Sequence, residues 1–234
     1  RQVVTDVHER ELVEQLAAWR GDYPVESTSA TLFNQLLYEF ARAATHDELG
    51  DEWFETLLST RMVDTLLPRL AADVDSQWWA RKGSNAHSDR ETVVKLAWDN
   101  TLAHLRTPLG KDPANWQWGK AHTLTHGHPL GAQKPLNLLF NVGPFAAPGA
   151  HEVPNNLSSR IGPAPWPVTY GPSTRRVIDF ADAGTALSIN PLGQSGGVFD
   201  RHYADQAQDY IDGRYQRALM GLAGEPEGTL RLVP

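Results

Sequence analysis

The sequence has 234 residues, of which 41% are hydrophobic and 21% charged, and these fractions are typical of a globular protein. Its formal net charge of −7 argues against nonspecific nucleic-acid binding, which needs clustered Lys and Arg, and it has no run of about 18 apolar residues that could cross a membrane. The absence of cysteine excludes disulfides, thiolate nucleophiles and zinc sites built on cysteine. We therefore expect neither nucleic acid nor a membrane among its partners.

The first part of the chain, residues 1–107, has the apolar spacing of helices. Leu12, Leu16 and Trp19 follow one another at intervals of four and three residues, which places them on one face of a helix. Further stretches with this spacing lie at 32–40, 53–70 and 94–105. The sequence therefore predicts a mainly helical region over residues 1–107.

Residues 108–234 differ because Pro and Gly are frequent and apolar residues alternate in short runs. This alternation predicts strands at 120–125, 166–170, 175–180 and 186–190. The segment 132–165 is predicted to be mostly loop, and a last helix is predicted from His202 to about Ala218. The fold class is therefore α+β, with a helical first half and a strand- and loop-rich second half ending in a helix. Helices or missing partner chains must cover one face of the strands.

Three histidines, His122, His126 and His128, form an H-x3-H-x-H cluster that would share one face of a continuous strand. Such a face could bind zinc or copper, but no Asp, Glu or Cys nearby completes a ligand set. Gly127 and Pro129 also interrupt the strand. We favour histidines that are satisfied at the end of a strand, and we assign no metal to this chain.

The glycine-rich segment 193–197 has the G-x-S-x-G spacing of a nucleophile elbow, with Ser195 after a predicted strand. His202 and Asp205 follow it and would complete a set of Ser, His and Asp. However, His202 precedes Asp205, which reverses the order of α/β hydrolases, and no β-α-β alternation comes before the segment. We favour a sharp turn in which the glycines adopt positive φ.

Asp179 is predicted to lie within the strand at 175–180, where aspartate is uncommon. Its side chain would share the face of Val177 and could point toward a buried or active-site surface. The alternative is a structural ion pair with Arg175 or Arg176, or simple exposure at an edge. The residue pattern alone favours this alternative.

Several segments resemble, in the same order, those of the penicillin acylase family. The more specific ones are W-x-W-G-x-x-H at 116–122 and G-Q-S-G at 193–196 followed by H-Y-x-D-Q at 202–206. The others lie at 102–105, 109–113, 128–130, 149–156 and 176–179. The resemblance is closer over residues 100–222 than over the helical first part.

Members of this family are N-terminal nucleophile hydrolases with an αββα sandwich. The resemblance implies an exported precursor that cuts itself into α and β chains, with Ser at the new N-terminus of β. The Ser hydroxyl attacks an amide carbonyl, and the α-amine of the same residue takes the hydroxyl proton, directly or through water. An Asn side chain and backbone N–H groups form the oxyanion hole. The implied localisation is periplasmic or secreted.

Within that family this chain resembles the C-terminal part of the β subunit, and Arg1 would be the cut end of something longer. The Ser nucleophile, the oxyanion Asn and the calcium-ligand segment would lie upstream of Arg1. We therefore expect no cofactor in this chain and no catalysis by it alone. The resemblance implies one site residue, Asp179, which matches an acidic residue on a late strand that orients a His near the β N-terminus. A carboxylate in this role fixes the imidazole tautomer and stabilises its charged form.

The resemblance further implies that the complete protein hydrolyses the amide bond of a small N-acylated substrate. The candidates are β-lactams with an acyl side chain, N-acyl-homoserine lactones and other acyl-amides. The sequence does not select one of them, because the acyl pocket would lie mostly outside this chain. The partners would be the α chain and the N-terminal part of the β chain of the same precursor. The alternative is a non-catalytic binding or structural module that packs with partner chains. A fragment should expose a large apolar patch where its partners belong, whereas a stand-alone module should bury its apolar faces.

Overall fold

The computed structural model of the protein describes residues 4, 6–80, 82, 90–221, 228 and 230–232. Arg1, the expected cut end, lies outside these residues. The chain divides into two compact units. The first unit comprises Arg1–Thr125 and Gly143–Gly171, and the second comprises His126–Val142 and Pro172–Pro234.

Helices make up most of the first unit. They are α1 (Val7–Ala18), α2 (Thr28–Leu58), α3 (Met62–Ala72), α4 (Arg90–Leu109) and the short α5 (Trp118–Ala121). Helices α1 and α2 each begin at a polar N-cap residue. The Asp6 carboxylate accepts hydrogen bonds from the N–H groups of His8 and Glu9, and the Ser27 hydroxyl accepts one from the N–H group of Ala30. Helix α2 is interrupted at Gly50, whose φ of 69° is left-handed and favours glycine. In the described residues no helix is long and apolar enough to cross a membrane.

The core of the first unit is aromatic and lies where α2 packs against α4. Trp116, Trp118 and Trp166 are buried there together with Leu32 and Leu105. Each of the three indoles donates its N–H to a backbone carbonyl at 2.8 or 2.9 Å. These large rings are therefore buried without leaving their N–H groups unpaired.

A three-stranded sheet follows the helices in the order β2-β1-β3, with β1 at His122–His126, β2 at Val142–Ala146 and β3 at Trp166–Pro167. Strands β1 and β3 are parallel, with His122 opposite Trp166. This register places the start of β1 against the tryptophan core, which is why His122 is fully buried.

The second unit contains an antiparallel sheet in the order β4-β5-β6. Its strands are β4 (Arg175–Ile178), β5 (Thr185–Ile189) and β6 (Gln216–Leu219), and its helices are α6 (Asn137–Phe140) and α7 (Ala207–Ile211). The Arg175 guanidinium lies 3.9 Å from the centre of the Tyr210 ring and donates to the Tyr210 carbonyl at 2.7 Å. These contacts hold the first residue of β4 against α7.

The α+β fold with helices first and sheets later is confirmed. The strands predicted at 175–180 and 186–190 correspond to β4 and β5. The prediction of a last helix from His202 to about Ala218 is wrong, because α7 is confined to Ala207–Ile211 and Gly213 has a φ of 69°. The residues after Gly213 form β6, whose pairing with β5 overrides their helical spacing. The loop predicted at 132–165 also contains β2, which includes a Gly and a Pro.

Candidate functional site

The loop around Ser195 is held tightly against the backbone that follows it. The N–H groups of Gly193 and Ser195 donate to the carbonyls of Tyr203 and His202 at 3.2 and 3.1 Å. A Cβ at Gly193 would lie 1.7 Å from the His202 carbonyl oxygen, so no larger residue fits there without a shift of the backbone. The expected positive φ is wrong for the three glycines of this loop. Close backbone approach, rather than a left-handed turn, is what requires Gly193.

Ser195 and His202 are close in the chain but do not form a nucleophile–base pair. The Ser195 hydroxyl accepts the N–H of Gly197 at 3.1 Å. The His202 ring contacts the Asp205 carboxylate through Nδ1 at 2.6 Å, and its Nε2 accepts from the Arg201 side chain at 2.9 Å. Within the described residues the Ser195 hydroxyl therefore makes no hydrogen bond to the imidazole that would activate it. The geometry does not support a free-standing serine hydrolase at Ser195.

Asp179 lies just after the strand in which it was predicted, because β4 ends at Ile178. It caps a single turn of 3-10 helix at Phe180–Asp182, where its carboxylate accepts the Ala181 N–H at 2.9 Å. The side chain is exposed. Among the described residues Asp179 forms no ion pair with either neighbouring arginine. The structure thus presents an anchored and accessible carboxylate at this position.

The three histidines of the H-x3-H-x-H cluster have separate environments. Both ring nitrogens of His122 face backbone carbonyls, and Nδ1 of His128 accepts the Leu130 N–H at 3.1 Å. His126 Nε2 is buried without a hydrogen-bond partner in the described part of the chain, and burial lowers the pKa of this imidazole. No group of three or more His, Cys, Asp or Glu among the described residues could hold a metal ion.

A buried polar network in the first unit escaped the sequence analysis. Gln35 is fully buried on α2 and donates from Nε2 to the carboxylate of Glu39 at 2.9 Å, while its Oε1 accepts the Ala164 N–H at 2.9 Å. Glu39 also lines a cavity of about 620 Å³ together with residues of α4. The spacing offered a signal, since both residues lie on the apolar side of α2, three and seven positions after Leu32. The described lining of this cavity includes no Ser, Thr or Cys that could act as a nucleophile.

Large apolar side chains are exposed over much of the second unit. Phe180 and Phe199 are 91% and 89% exposed. On the sheet, exposed Val177 lies opposite exposed Leu187, and exposed Leu219 lies on the same face opposite Thr185, while Arg217 lies opposite Leu187. Further exposed apolar residues are Leu130, Leu136, Leu138, Leu139, Ile178 and Met220. Exposed apolar surface on this scale is typical of a site where other protein packs.

Comparison with known proteins places these segments in a family. The sequence pattern of the penicillin amidase family matches residues 1–223. The acyl-homoserine lactone acylase QuiP of Pseudomonas aeruginosa is 28% identical over 227 residues, covering 88% of this chain and 26% of that protein. The QuiP proteins of Pseudomonas putida and Pseudomonas fluorescens are 26% and 25% identical, covering 88% and 95% of this chain and 26% of each relative. The chain therefore spans only 26% of the length of these relatives.

Proposed function

Because this chain belongs to the penicillin amidase family, we propose that it is the C-terminal part of the β subunit of an amidohydrolase that cleaves N-acylated substrates. The observation that carries the proposal is a family match over residues 1–223 in a chain that spans 26% of its relatives. The rest of the protein would supply the nucleophile, the oxyanion hole and the acyl pocket. This chain would contribute part of the αββα sandwich.

Among the candidate substrates, N-acyl-homoserine lactones have the support of the similar proteins. The similar proteins from three Pseudomonas species are acyl-homoserine lactone acylases. Hydrolysis of the amide in such a substrate yields a fatty acid and homoserine lactone. β-Lactam side chains and other acyl-amides carry the same bond and remain as alternatives.

The exposed apolar face of the second unit supports partners from the same precursor. Val177, Leu187 and Leu219 are exposed on one face of the β4-β5-β6 sheet, and leaving apolar side chains in water is unfavourable by about 25 cal/mol per Å² of apolar surface. We propose that the N-terminal part of the β chain covers this sheet and that the α chain completes the molecule. The same face would be expected of a non-catalytic module, so the chemistry must be tested separately.

The reaction would begin with the hydroxyl of a Ser at the N-terminus of the complete β chain. The α-amine of that Ser takes the hydroxyl proton as the oxygen attacks the amide carbonyl of the substrate. The amine part of the substrate then leaves with that proton, and the acyl group stays on the Ser. Water finally releases the acid from this acyl-enzyme. Asp179 would act as a positioning residue. Its exposed carboxylate, anchored through the Ala181 N–H, is suited to orient an imidazole from the front of the β chain.

The calcium ion of the family is proposed to bind outside this chain. This proposal rests on the resemblance, in which the calcium-ligand segment lies upstream of the part of the β chain that this sequence resembles. A periplasmic or secreted location is likewise proposed from the family, in which the precursor is exported.

The N-terminus of the mature chain that contains this sequence tests the proposal. Mass spectrometry of the purified natural protein should find a Ser at that terminus, released by cleavage of a longer precursor. A serine-directed inhibitor should modify this residue and leave Ser195 unmodified, because the Ser195 hydroxyl makes no hydrogen bond to an imidazole within the part of the chain that the structure describes. A mature chain that starts at another residue type, or inhibitor attached to Ser195, would refute the N-terminal nucleophile mechanism.

A further inference from the structure

Glu39 is a buried acidic residue that has an amide, and not a cation, beside it. It lies on α2 and is 4% exposed, and Nε2 of Gln35 donates to its Oε1 at 2.9 Å. Because Oε1 of Gln35 accepts the Ala164 N–H at 2.9 Å, the amide of Gln35 is fixed with its NH₂ group toward Glu39. A neutral donor therefore satisfies one carboxylate oxygen and leaves the negative charge without a counterion.

The second carboxylate oxygen of Glu39 lacks even a neutral donor. Among the described residues, the bond from Gln35 is the only hydrogen bond that the carboxylate accepts, and it forms no ion pair with a Lys, Arg or His. Folded proteins pair the charges that they bury, because a charge loses its hydration when water is excluded from it. Glu39 thus lacks the partner that a buried carboxylate requires.

Room for such a partner exists next to Glu39. The residue lines a cavity of about 620 Å³ between α2 and α4, which we call the α2–α4 groove. One face of each helix borders the groove, since its lining residues recur at intervals of three and four positions. These residues include Glu39, Ala43 and His46 on α2, and Leu96, Asn100 and Ala103 on α4. The small side chains of the two alanines leave space that a side chain from outside could fill.

The basic groups that line the groove have partners of their own. The guanidinium of Arg42 forms a hydrogen bond with the phenol of Tyr38. His46 contacts the Asp51 carboxylate through Nε2 at 2.7 Å. His104 contacts the Ala164 carbonyl oxygen through Nε2 at 3.1 Å. Each of these side chains is therefore directed to a group other than Glu39.

Two further polar residues of the groove favour a positively charged occupant. Asp47 adds a second carboxylate, which accepts the Lys82 N–H at 2.9 Å. With the imidazoles neutral, the groove has two carboxylates against the one guanidinium of Arg42. On the facing helix, the side chain of Asn100 makes no hydrogen bond within the part of the chain that the structure describes, so its oxygen is available to a donor.

We propose that the α2–α4 groove receives a Lys or Arg side chain from the rest of the same precursor, and that this cation pairs with Glu39. The inference rests on the proposed function, in which the α chain and the front of the β chain pack against this chain. Because this chain spans 26% of the length of its relatives, most of such a protein lies outside it and can supply the occupant. The apolar stem of the entering side chain would pack along Ala43 and Ala103 while its charged end binds Glu39.

A crystal structure of the full-length natural protein tests the proposal without a substitution. A Lys or Arg nitrogen from outside residues 1–234 should lie about 2.8 Å from a carboxylate oxygen of Glu39, the usual length of a charge-assisted hydrogen bond. A groove that holds only water or a small molecule would overturn the proposal, and so would a residue of 1–234 paired with Glu39. Catalysis plays no part in this measurement, so its outcome is separate from whether the protein cleaves amides.

The rate at which the full-length protein unfolds in denaturant provides a second measurement. Glu39→Gln keeps an oxygen that accepts the Gln35 N–H but removes the charge, so the entering cation is left buried without a counterion. We expect unfolding to become about tenfold faster or more. Glu48→Gln is the matched control, because Glu48 is exposed on the same helix and is absent from the described lining of the groove, and it should leave the rate unchanged. Equal rates for Glu39→Gln and the natural protein would contradict the pairing.

A double substitution separates the ion pair from other effects at Glu39. When the cation found in the crystal structure is replaced by Met in the Glu39→Gln background, neither charge remains unpaired in the groove. The double variant should therefore unfold at about the rate of the single variants. If the two single effects instead multiply, the two residues act independently and the pairing is refuted.

Discussion

At Asp179, one substitution separates the charge of the side chain from its hydrogen bond. Asp179→Asn keeps an oxygen that can accept the Ala181 N–H and removes the negative charge. If the carboxylate orients an imidazole from the front of the β chain, kcat of the complete enzyme should fall about 10- to 100-fold, the usual loss for an orienting partner. The acidic limb of the pH–rate profile should also shift to lower pH, because an imidazolium without its carboxylate loses its proton more easily.

Asp182→Asn is the matched control, since Asp182 is an exposed carboxylate in the same helical turn. It should leave both kcat and the pH–rate profile unchanged. Equal losses in the two variants would mean that the turn is sensitive to any change of charge, and Asp179 would then have no positioning role.

Some of this site could be predicted from single residues and some could not. The burial of Trp116 and Trp118 follows from their size and apolar character. The partners of His122 do not follow from its sequence, because Ala147 and Leu157 lie 25 and 35 positions further along the chain. The spacing of His122, His126 and His128 suggested one face of one strand, but in the structure each imidazole ring has different neighbouring residues.

At the scale of secondary-structure elements, local spacing failed where distant pairing decided the structure. Residues after Gly213 have helical spacing in the sequence, but Arg217 lies opposite Leu187 in the sheet. The G-x-S-x-G loop matched a catalytic motif in spacing alone, while its backbone contacts with His202 and Tyr203 show a packing role. The helical stretch at 32–40 was predictable because its apolar spacing agrees with its tertiary contacts. The stretch predicted at 53–70 is instead divided between the end of α2 at Leu58 and α3, which begins at Met62.

The Gly193 loop provides a stability prediction. Gly193→Ala would place a methyl group 1.7 Å from the His202 carbonyl oxygen, so the loop and the segment after it must separate. We expect a loss of stability of about 3 kcal/mol, the upper part of the range for overpacked sites. Thermal unfolding of the full-length protein, followed by calorimetry, measures this loss.

Gly196→Ala is the control for that measurement, because no atom lies within 4 Å of a Cβ at Gly196. It should unfold at the same temperature as the natural protein. If the two variants are equally stable, the close approach at Gly193 does not hold the loop.

At the scale of the whole molecule, both units expose large apolar side chains, and in the second unit these include residues of its sheet. The first unit has an aromatic core between α2 and α4 and pairs its buried indoles. The second unit exposes apolar side chains on its sheet and in its loops. Composition and spacing predicted the α+β class, but they could not show which faces lack cover, because exposure depends on the folded arrangement of distant segments.

The products formed from an N-acyl-homoserine lactone by the full-length natural protein test the central claim most directly. Liquid chromatography with mass spectrometry should detect a free fatty acid and homoserine lactone in equal amounts, and replacement of the N-terminal Ser of the β chain by Ala should abolish both. Intact substrate, or a product in which only the lactone ring has opened and the amide remains, would contradict the assignment of this chain to an amide-cleaving acylase that acts on these substrates.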